Sequence, residues 1–512
     1  MASLLQTFRA LRSAGPAVSK EFFTCRQCLT KAPPARPWST AAAPVRRSPF
    51  LQAFRANSTR SGAASRQSST PLGSLGKTIG NEAREAVATD AVASKSSFPE
   101  TSDKKVAYFL FGSAAAVFGI VVFGGLTRLT ESGLSITEWK PVTGSLPPLN
   151  TADWEAEFTK YKSSPEFKLL NPHMDVDEFK KIYYMEWTHR IWGRVLGLGV
   201  LLPTFYFIAR RRVSKPMAFR LLGICGLIGF QGFLGWYMVS SGLKDDLFAP
   251  GSHPRVSQYR LTAHLGTAFV CYTAMLWNGL AILRQHRMIN DPAAATELIG
   301  TLKSSPLKLY RPLVGLLSIL IFTTAMSGGL VAGLDAGLIY NEFPKMGLGL
   351  TPPKSELWSD FYARDPDGKD LVWRNMLENP SLVQLNHRIL ATTTTAAILA
   401  LYAYTRFSPR LSAALPRAAK KGTMGLIHLV GMQVALGIST LIYLVPTPLA
   451  AAHQAGSLAL LTGAIVLCSR ITVPKRTMKM VAERLARGGP RPVQRGPGMM
   501  ASEKAPLSST TS

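Results

Sequence analysis

Charged residues are scarce in this 512-residue sequence, at 17%, and acids are rarer than bases, with 30 Asp and Glu against 58 Lys and Arg. With 47% hydrophobic side chains, the chain is too apolar for an ordinary soluble domain of this size. A net charge of +28 would suit a nucleic-acid binder only if the bases gathered on one folded surface. They lie instead in an N-terminal leader, in links between apolar runs and in the C-terminal tail. We therefore expect a protein of the lipid bilayer with no nucleic-acid partner.

Cysteine is also rare, with five residues, and no disulfide framework is expected. Cys25 and Cys28 form a C-x-x-C pair of the kind used in redox or zinc sites. A single such pair in a leader is best explained by chance. The other three cysteines each lie inside an apolar run: Cys225, Cys271 and Cys468.

The start of the chain lacks the long apolar run of a secretory signal. Residues 1–80 contain twelve Lys and Arg but a single acid, Glu21, in a background rich in Ser and Ala. This composition is typical of a mitochondrial transit peptide. We expect residues 1–100 to be transit peptide and disordered leader, and residues 473–512 to be a basic, disordered tail in the matrix.

Eight apolar runs are long enough to cross about 30 Å of hydrocarbon as helices of about 20 residues. Lys and Arg crowd the links after the second, fourth, sixth and eighth runs, and the positive-inside rule places those links in the matrix. Both termini then face the matrix of the mitochondrial inner membrane. The two long links, 127–183 and 332–383, face the intermembrane space. The runs are 106–126, 184–209, 219–241, 260–283, 309–331, 384–405, 423–444 and 450–470.

The second half of the chain repeats the first at offsets between 189 and 204 residues. Each half has four apolar runs, an even number, so both halves insert in the same orientation. The predicted fold is an all-α membrane protein of eight transmembrane helices. They form two tandem four-helix bundles, 105–285 and 305–472, related by a pseudo-two-fold axis along the membrane normal. The matched segments are 125–134 with 329–338, 189–191 with 387–389, 229–235 with 431–437, and 263–264 with 452–453.

Four of the eight histidines obey this repeat: His189 and His264 in the first half, His387 and His453 in the second. Each lies near the intermembrane-space end of its run, so all four share a similar depth. Ionisable or metal-binding side chains inside a membrane are costly and point to function. Paired imidazoles on facing helices of a bundle can hold a haem iron from both sides. The alternative for any one histidine is an interhelical hydrogen bond.

Each half also offers groups that suit a haem. Arg190 and Arg388 directly follow a ligand histidine and can reach towards haem propionates, since Arg pairs well with carboxylates. Arg128 is a third candidate for such contacts. The alternative for these arginines is that they extend to the lipid headgroups.

One residue distinguishes the two halves. Glu186 stands three residues before His189 and shares its helix face, whereas Gln384 stands at the matching position before His387. A buried carboxylate can move protons or stabilise positive charge. We therefore predict that the His189/His264 site is reactive and that the His387/His453 site transfers electrons. The alternative is a Glu186 solvated at the membrane surface.

Two motifs resemble those of the haem A synthase family, of the mitochondrial and related bacterial type. The segment 124–135, with Trp139–Gly144 and Pro147-Pro148, is similar to the first-loop signature of that family, and 186–190 is similar to its Glu-x-x-His-Arg motif. The resemblance extends over about 105–475. Some bacterial members carry a cysteine pair in the first external loop. The link 127–183 contains none, so no thiol role is carried over.

The resemblance implies oxidation of the C8 methyl of haem O to a formyl group, giving haem A for cytochrome c oxidase. By the same resemblance, His189 and His264 would ligate haem O, Glu186 would assist catalysis, and His387 and His453 would ligate a resident haem b. A ferredoxin with its reductase and the farnesyltransferase that makes haem O would be partners. The sequence leaves a homo-oligomer open.

Two other functions are compatible with the histidines. The chain could be a b-type cytochrome that relays electrons between two bis-histidine haems, which would give Glu186 no role. It could also be a haem carrier or assembly factor, with the first site holding haem in transit.

Overall fold

The computed structural model describes residues 98–140, 146–244, 247 and 255–488. The leader with Cys25 and Cys28, residues 141–144 of the first-loop motif and the tail beyond 488 lie outside the described residues. Within the described ranges the regular elements are all helices, which confirms the all-α prediction.

Eight helices of the described part have 25 or more residues. They are α1 (Lys104–Leu129), α4 (Val176–Ala209), α5 (Lys215–Gly242), α6 (Gln258–Asn290), α8 (Leu307–Gly333), α11 (Pro380–Phe407), α13 (Arg417–Ile442) and α14 (Thr447–Ile471). The short helices are α2 (Thr151–Lys162), α3 (Pro165–Leu170), α7 (Pro292–Lys303), α9 (Lys354–Leu357), α10 (Leu371–Glu378), α12 (Pro409–Ala414) and α15 (Lys475–Gly488).

Seven of these helices, among the described residues, are long and apolar enough to cross a membrane, one fewer than the sequence predicts. The helix outside this group is α11, which corresponds to the predicted run 384–405. It is long enough, but it carries Gln384, Asn386, His387 and Arg388 near its start, and four threonines at 392–395. These polar side chains lower its hydropathy.

Several long helices extend beyond the apolar runs that predict them. Helix α4 begins at Val176, eight residues before the predicted run, because the Asp175 side chain accepts a hydrogen bond from the backbone N–H of Glu178 and caps its first turn. Glu186 and His189 therefore lie in the third and fourth turns of a continuous helix. Their relative positions are fixed by regular helix geometry.

The long helices pack in the same cyclic order in both halves. Helix α1 contacts α4 and α6, and α5 also contacts α4 and α6. In the second half α8 contacts α11 and α14, and α13 contacts the same two helices. The halves meet where α6 lies against α8 and α14, and where α14 lies against α1. One apolar core, which includes Phe269, Leu317 and Leu461, continues through both.

The segment after the last long helix differs from the expected disordered tail. Residues Lys475–Gly488 form α15, whose Val481 is buried against Met288 and Ala295 near the start of α7. Apolar residues recur along α15 at helical spacing, as at Met478, Val481 and Leu485, and this gives the basic helix one face that can pack.

Candidate functional site

Each of the four repeat-matched histidines lies against a glycine of a neighbouring helix. A Cβ atom at these glycines would approach the histidine Cε1 atoms to between 2.8 and 3.4 Å. The two closest approaches leave no room for any other residue, so the glycines form cradles for the imidazoles. These glycines also obey the sequence repeat. The pairs are Gly124 with His189, Gly235 with His264, Gly328 with His387, and Gly437 with His453.

The C-terminal pair, His387 and His453, comes from α11 and α14. Their ring centroids are 6.5 Å apart and the ring planes are perpendicular. An imidazole–metal bond is about 2 Å long, so two imidazoles on opposite sides of one metal place their centroids about 6 Å apart. The observed spacing therefore suits one iron between the two rings.

The hydrogen-bond partner of His387 determines which ring nitrogen is available. Ser327 Oγ lies 2.7 Å from His387 Nδ1, and the Ser327 hydroxyl donates to the Thr324 carbonyl at 2.7 Å. With its proton committed to Thr324, Ser327 Oγ accepts a hydrogen bond from His387 Nδ1–H. The Nε2 lone pair is then left for a metal.

The N-terminal pair, His189 and His264, has a different environment. The position that matches Ser327 is Phe123, whose ring lies nearly parallel to that of His189 at 6.4 Å between centroids. The Nδ1 atoms of His189 and His264 are buried, with no hydrogen-bond partner among the described residues. This half therefore offers two imidazoles without the hydroxyl found beside His387.

Two matched glutamines tie the second histidine of each half to the preceding helix. Gln231 donates to the carbonyl of His264 at 3.0 Å, and Gln433 donates to that of His453 at 2.8 Å. Both belong to the repeated segments 229–235 and 431–437, which share the pattern G-x-Q-x-x-L-G. These bonds fix the backbone of His264 and His453 relative to α5 and α13.

Glu186 is buried and fully hydrogen-bonded. One carboxylate oxygen accepts from Arg190 Nη2 at 2.6 Å and Nε at 3.0 Å. The other accepts from Ser135 Oγ at 2.7 Å and from the backbone N–H of Ile136 at 2.8 Å. The four donors, two of them from the Arg190 guanidinium, fix the position of the carboxylate. The alternative of a water-solvated Glu186 does not match its exposed fraction of 3%.

Arg190 and Arg388 make equivalent contacts with the external loops. Arg190 donates to the carbonyls of Ile136 at 2.8 Å and Glu138 at 3.1 Å. Arg388 donates to the matching carbonyls of Tyr340 at 3.0 Å and Glu342 at 2.9 Å. Both arginines hold the loop that leaves the first helix of their half. Only Arg190 is also paired with a carboxylate beside a site histidine.

Arg128 lies between the two halves. Its Nη2 atom is 2.9 Å from Asp335 Oδ1. Arg255 joins the same group, at 2.6 Å from Glu131 and 3.1 Å from Asp335. Glu131 and Asp335 occupy matched positions, and both have positive φ angles, of 54° and 51°. The sequence motifs did not indicate this ion-pair group, because Arg128 has Ala332 as its repeat counterpart.

Ser327, Phe123 and the cradle residues Gly235 and Gly437 were not among the site residues predicted from the sequence. The two glycines end a repeated motif, so the repeat itself contained the signal. Ser327 and Phe123 occupy the same position of the repeat, which holds a hydroxyl in one half and an aromatic ring in the other. Their importance becomes visible only when the helices are packed.

Comparison with known proteins gives consistent matches over most of the chain. The model of a family described as cytochrome oxidase assembly protein matches residues 107–465. The chain is 51% identical over 381 residues to a haem A synthase of Saccharomyces cerevisiae, covering 74% of this chain and 78% of that protein. It is 45% identical to one of Homo sapiens, covering 73% and 85%. A haem A synthase–mitochondrial ferredoxin fusion protein of Schizosaccharomyces pombe is 50% identical over 372 residues, covering 72% and 60%.

Proposed function

The chain belongs to the cytochrome oxidase assembly protein family of haem A synthases, and from this membership we propose how its residues divide the work between two haem sites. It is an enzyme that converts haem O to haem A, an oxidation, and a mitochondrial multi-pass membrane protein. Family membership favours this enzyme over a simple cytochrome or a haem carrier.

We assign a resident haem b to His387 and His453. The ring spacing of 6.5 Å suits one iron, the glycine cradles admit the rings, and Ser327 leaves His387 Nε2 as the ligand atom. A hydrogen bond from the other ring nitrogen strengthens a histidine ligand and fixes its orientation. These features suit a cofactor that stays bound and passes electrons, which is the chemistry that a haem iron supplies.

We assign haem O to His189 and His264. This pair has the same cradles but no hydroxyl on Nδ1 of His189, which instead stacks on Phe123. Ligation without that supporting bond is weaker. A weaker clamp suits a substrate that must bind and leave. The single observation that best supports the division is the presence of Glu186 beside this pair alone.

In the proposed reaction Glu186 relays protons beside the haem O methyl that is converted to a formyl group. Arg190, Ser135 and Ile136 hold the carboxylate in place by hydrogen bonds. Burial keeps bulk water from the carboxylate.

We further propose that Arg128 and Arg388 bind haem propionates. Each has a buried Nε–H without a partner among the described residues. Arg is well suited to carboxylates. Arg190 was a third candidate, but its Nε and Nη2 groups are engaged by Glu186. We therefore assign Arg190 mainly to positioning that carboxylate.

The matched packing of the long helices supports eight spans arranged as two tandem bundles, 105–285 and 305–472, with α11 as the least apolar span. The basic links and α15 favour both termini in the matrix, with the haem sites towards the intermembrane space. The Schizosaccharomyces pombe fusion supports a ferredoxin as electron source. The farnesyltransferase that makes haem O is a further proposed partner, and a homo-oligomer is compatible with the fold.

The assignment of Glu186 is tested with membranes that contain the intact chain or Glu186→Gln, each supplied with haem O. Haems are extracted and separated by type. We expect haem A from the intact chain and at least a hundredfold less from Glu186→Gln, the typical contribution of a general base being about 10²–10⁴-fold. The haem b spectrum should be the same in both. Equal haem A yields would remove Glu186 from the reaction.

A further inference from the structure

We infer that a groove between α5, α6 and α8 binds the isoprenoid tail of the substrate haem. This inference rests on the proposed assignment of haem O to His189 and His264. Haem O differs from haem b in carrying a long farnesyl-derived chain, which must lie somewhere when the porphyrin is clamped. The groove has a volume of about 640 Å³, within the range of about 300–1,000 Å³ usual for small-molecule sites.

The groove runs beside His264 along α6. Ala263, Gly266 and Val270 line it at the i, i+3 and i+7 positions of one helix face. His264 is the next residue after Ala263, so its side chain lies on the adjoining face, about 100° around the helix. From Tyr259 to Val270 the lining extends over twelve residues, a rise of about 16 Å along the helix. The ligand histidine lies near the middle of this length.

Helix α5 repeats the same offset. Leu227, Phe230 and Leu234 line the groove. Gly235, which cradles His264, directly follows Leu234. On both helices, therefore, the residues that line the groove lie next to the residues of the proposed haem site. A chain attached to a porphyrin between His189 and His264 would reach the groove by passing between α5 and α6.

Helix α8 closes the third side with Phe322 and Met326. A Cβ atom at Gly266 would lie 2.9 Å from Met326 Sδ, so glycine at this position brings α6 close to α8. The lining is almost wholly apolar, and the hydroxyl of Thr267 is occupied by the Ala263 carbonyl at 2.9 Å. Two other polar residues line the groove: Tyr259, whose hydroxyl donates to Glu378, and Thr262, whose buried hydroxyl has no partner among the described residues. The rest of the surface offers a hydrocarbon chain apolar contacts.

The matched position in the other half is filled. Thr267 corresponds to Gly456, and a Cβ atom there would clash with Gln433 Oε1 and lie 3.6 Å from Leu436. Helix α13 also packs against α14 more extensively than α5 packs against α6. The proposed haem b has no isoprenoid tail, so its half needs no such space.

A lipid acyl chain is the other hydrocarbon that could lie in the groove. Within a bilayer the tail gains little from the hydrophobic effect, because lipid is equally apolar. Its binding depends on packing against a preformed surface next to the ligand. We therefore expect the groove to contribute selectivity for haem O over haem B by about tenfold in dissociation constant, with the tail also fixing how the porphyrin is turned between the histidines.

The test uses the full chain in lipid nanodiscs, with haem b already bound at the proposed His387/His453 site. Ferric haem O and haem B are titrated separately, and binding is followed by absorbance. The variants Val270→Trp and Thr267→Phe fill the groove, and Ile319→Trp is the control, since Ile319 is 62% exposed on α8 and does not line the groove. We expect the preference for haem O to fall about tenfold in the two groove variants only. Binding of haem B should stay the same in all.

Equal affinity of the intact chain for both haems, or an unchanged preference in both groove variants, would overturn the tail site and would indicate that lipid occupies the groove. His264→Ala separates this result from a failure of the haem assignment. If His264→Ala binds haem O as the intact chain does, the haem site itself is misplaced. If it loses haem O while the groove variants keep their preference, only the tail site is wrong.

Discussion

Ser327 Oγ lies 2.7 Å from Nδ1 of His387, whereas the matched position in the other half holds Phe123, stacked on His189. The two halves share their glycine cradles, glutamine ties and arginine-held loops. They differ at this partner and at Glu186. On these two differences rests our proposal of a strongly held haem in one half and an exchangeable haem, with a carboxylate nearby, in the other.

Ser327→Ala should raise the midpoint potential of haem b. Without an acceptor for Nδ1–H, His387 becomes a weaker electron donor, and the ferric state loses more stability than the ferrous state. Retention of haem b should also fall by about 10–100-fold, the usual effect of removing such a partner. A redox titration of the purified chain measures the potential. Ser327→Thr, which keeps the hydroxyl, is the control, and identical potentials for all three proteins would show that this bond has no role.

Gly437→Ala should lose haem b. The added Cβ would lie 2.8 Å from Cε1 of His453, which forces the ring out of its cradle. Gly235→Ala is the matched control in the other half, because its Cβ would lie at 3.4 Å from His264, close to ordinary contact. Haem content by absorbance should therefore drop for the first variant and stay near normal for the second. Normal haem b content in Gly437→Ala would argue against the cradle.

Arg190→Gln should destabilise the protein by about 3–5 kcal/mol, because it leaves a buried carboxylate without its partner. The side chains of Arg190 and Glu186 are 13% and 4% exposed. The double variant Arg190→Gln/Glu186→Gln removes both charges and should recover much of that loss. Thermal unfolding in detergent measures the stability of each. Haem A formation should remain low in the double variant, which distinguishes a structural pair from a functional one.

The external loop should become less stable as the pH rises. Glu166 in α3 is 3% exposed, and burial raises its pKa to about 7 against an ordinary 4.5, although Tyr161 donates to it at 3.0 Å. Since the folded state holds the proton more tightly, the loop is most stable below pH 4.5. Stability falls between 4.5 and 7 and is constant above, a loss on the order of 3 kcal/mol.

Hydrogen exchange of residues 151–183, measured across this pH range and corrected for intrinsic rates, follows that loss. Glu166→Gln cannot ionise and should show protection that does not change with pH. Glu155→Gln, an exposed position on α2, should behave like the intact chain. A pH-dependent loss of protection that persists in Glu166→Gln would assign the effect to another group.

The long apolar runs were enough to predict the helical class, and the sequence repeat singled out the four histidines, because matched residues recur in the same order. Helix boundaries were less predictable. Asp175 starts α4 well outside the apolar run by capping it, and this depends on local backbone geometry rather than on hydropathy. The polar residues of α11 lower its hydropathy, and Gln384 among them donates to the Tyr340 carbonyl rather than facing lipid.

Contacts between helices could not be predicted from the chain alone. The bond between Ser327 and His387 depends on how α8 and α11 are rotated against each other. The ion pair of Arg128 with Asp335 joins residues of different halves. For the same reason Arg190 could be recognised as a neighbour of His189, but its pairing with Glu186 and the loop carbonyls required the folded structure.

The most direct measurement is the haem content of the purified full chain, by type, in the intact protein, His387→Ala and His264→Ala. We predict that His387→Ala loses haem b and still binds added haem O, and that His264→Ala keeps haem b and no longer binds haem O. Retention of haem b by His387→Ala, or loss of both haems from either variant while the fold stays intact, would contradict the division into a resident and a substrate site.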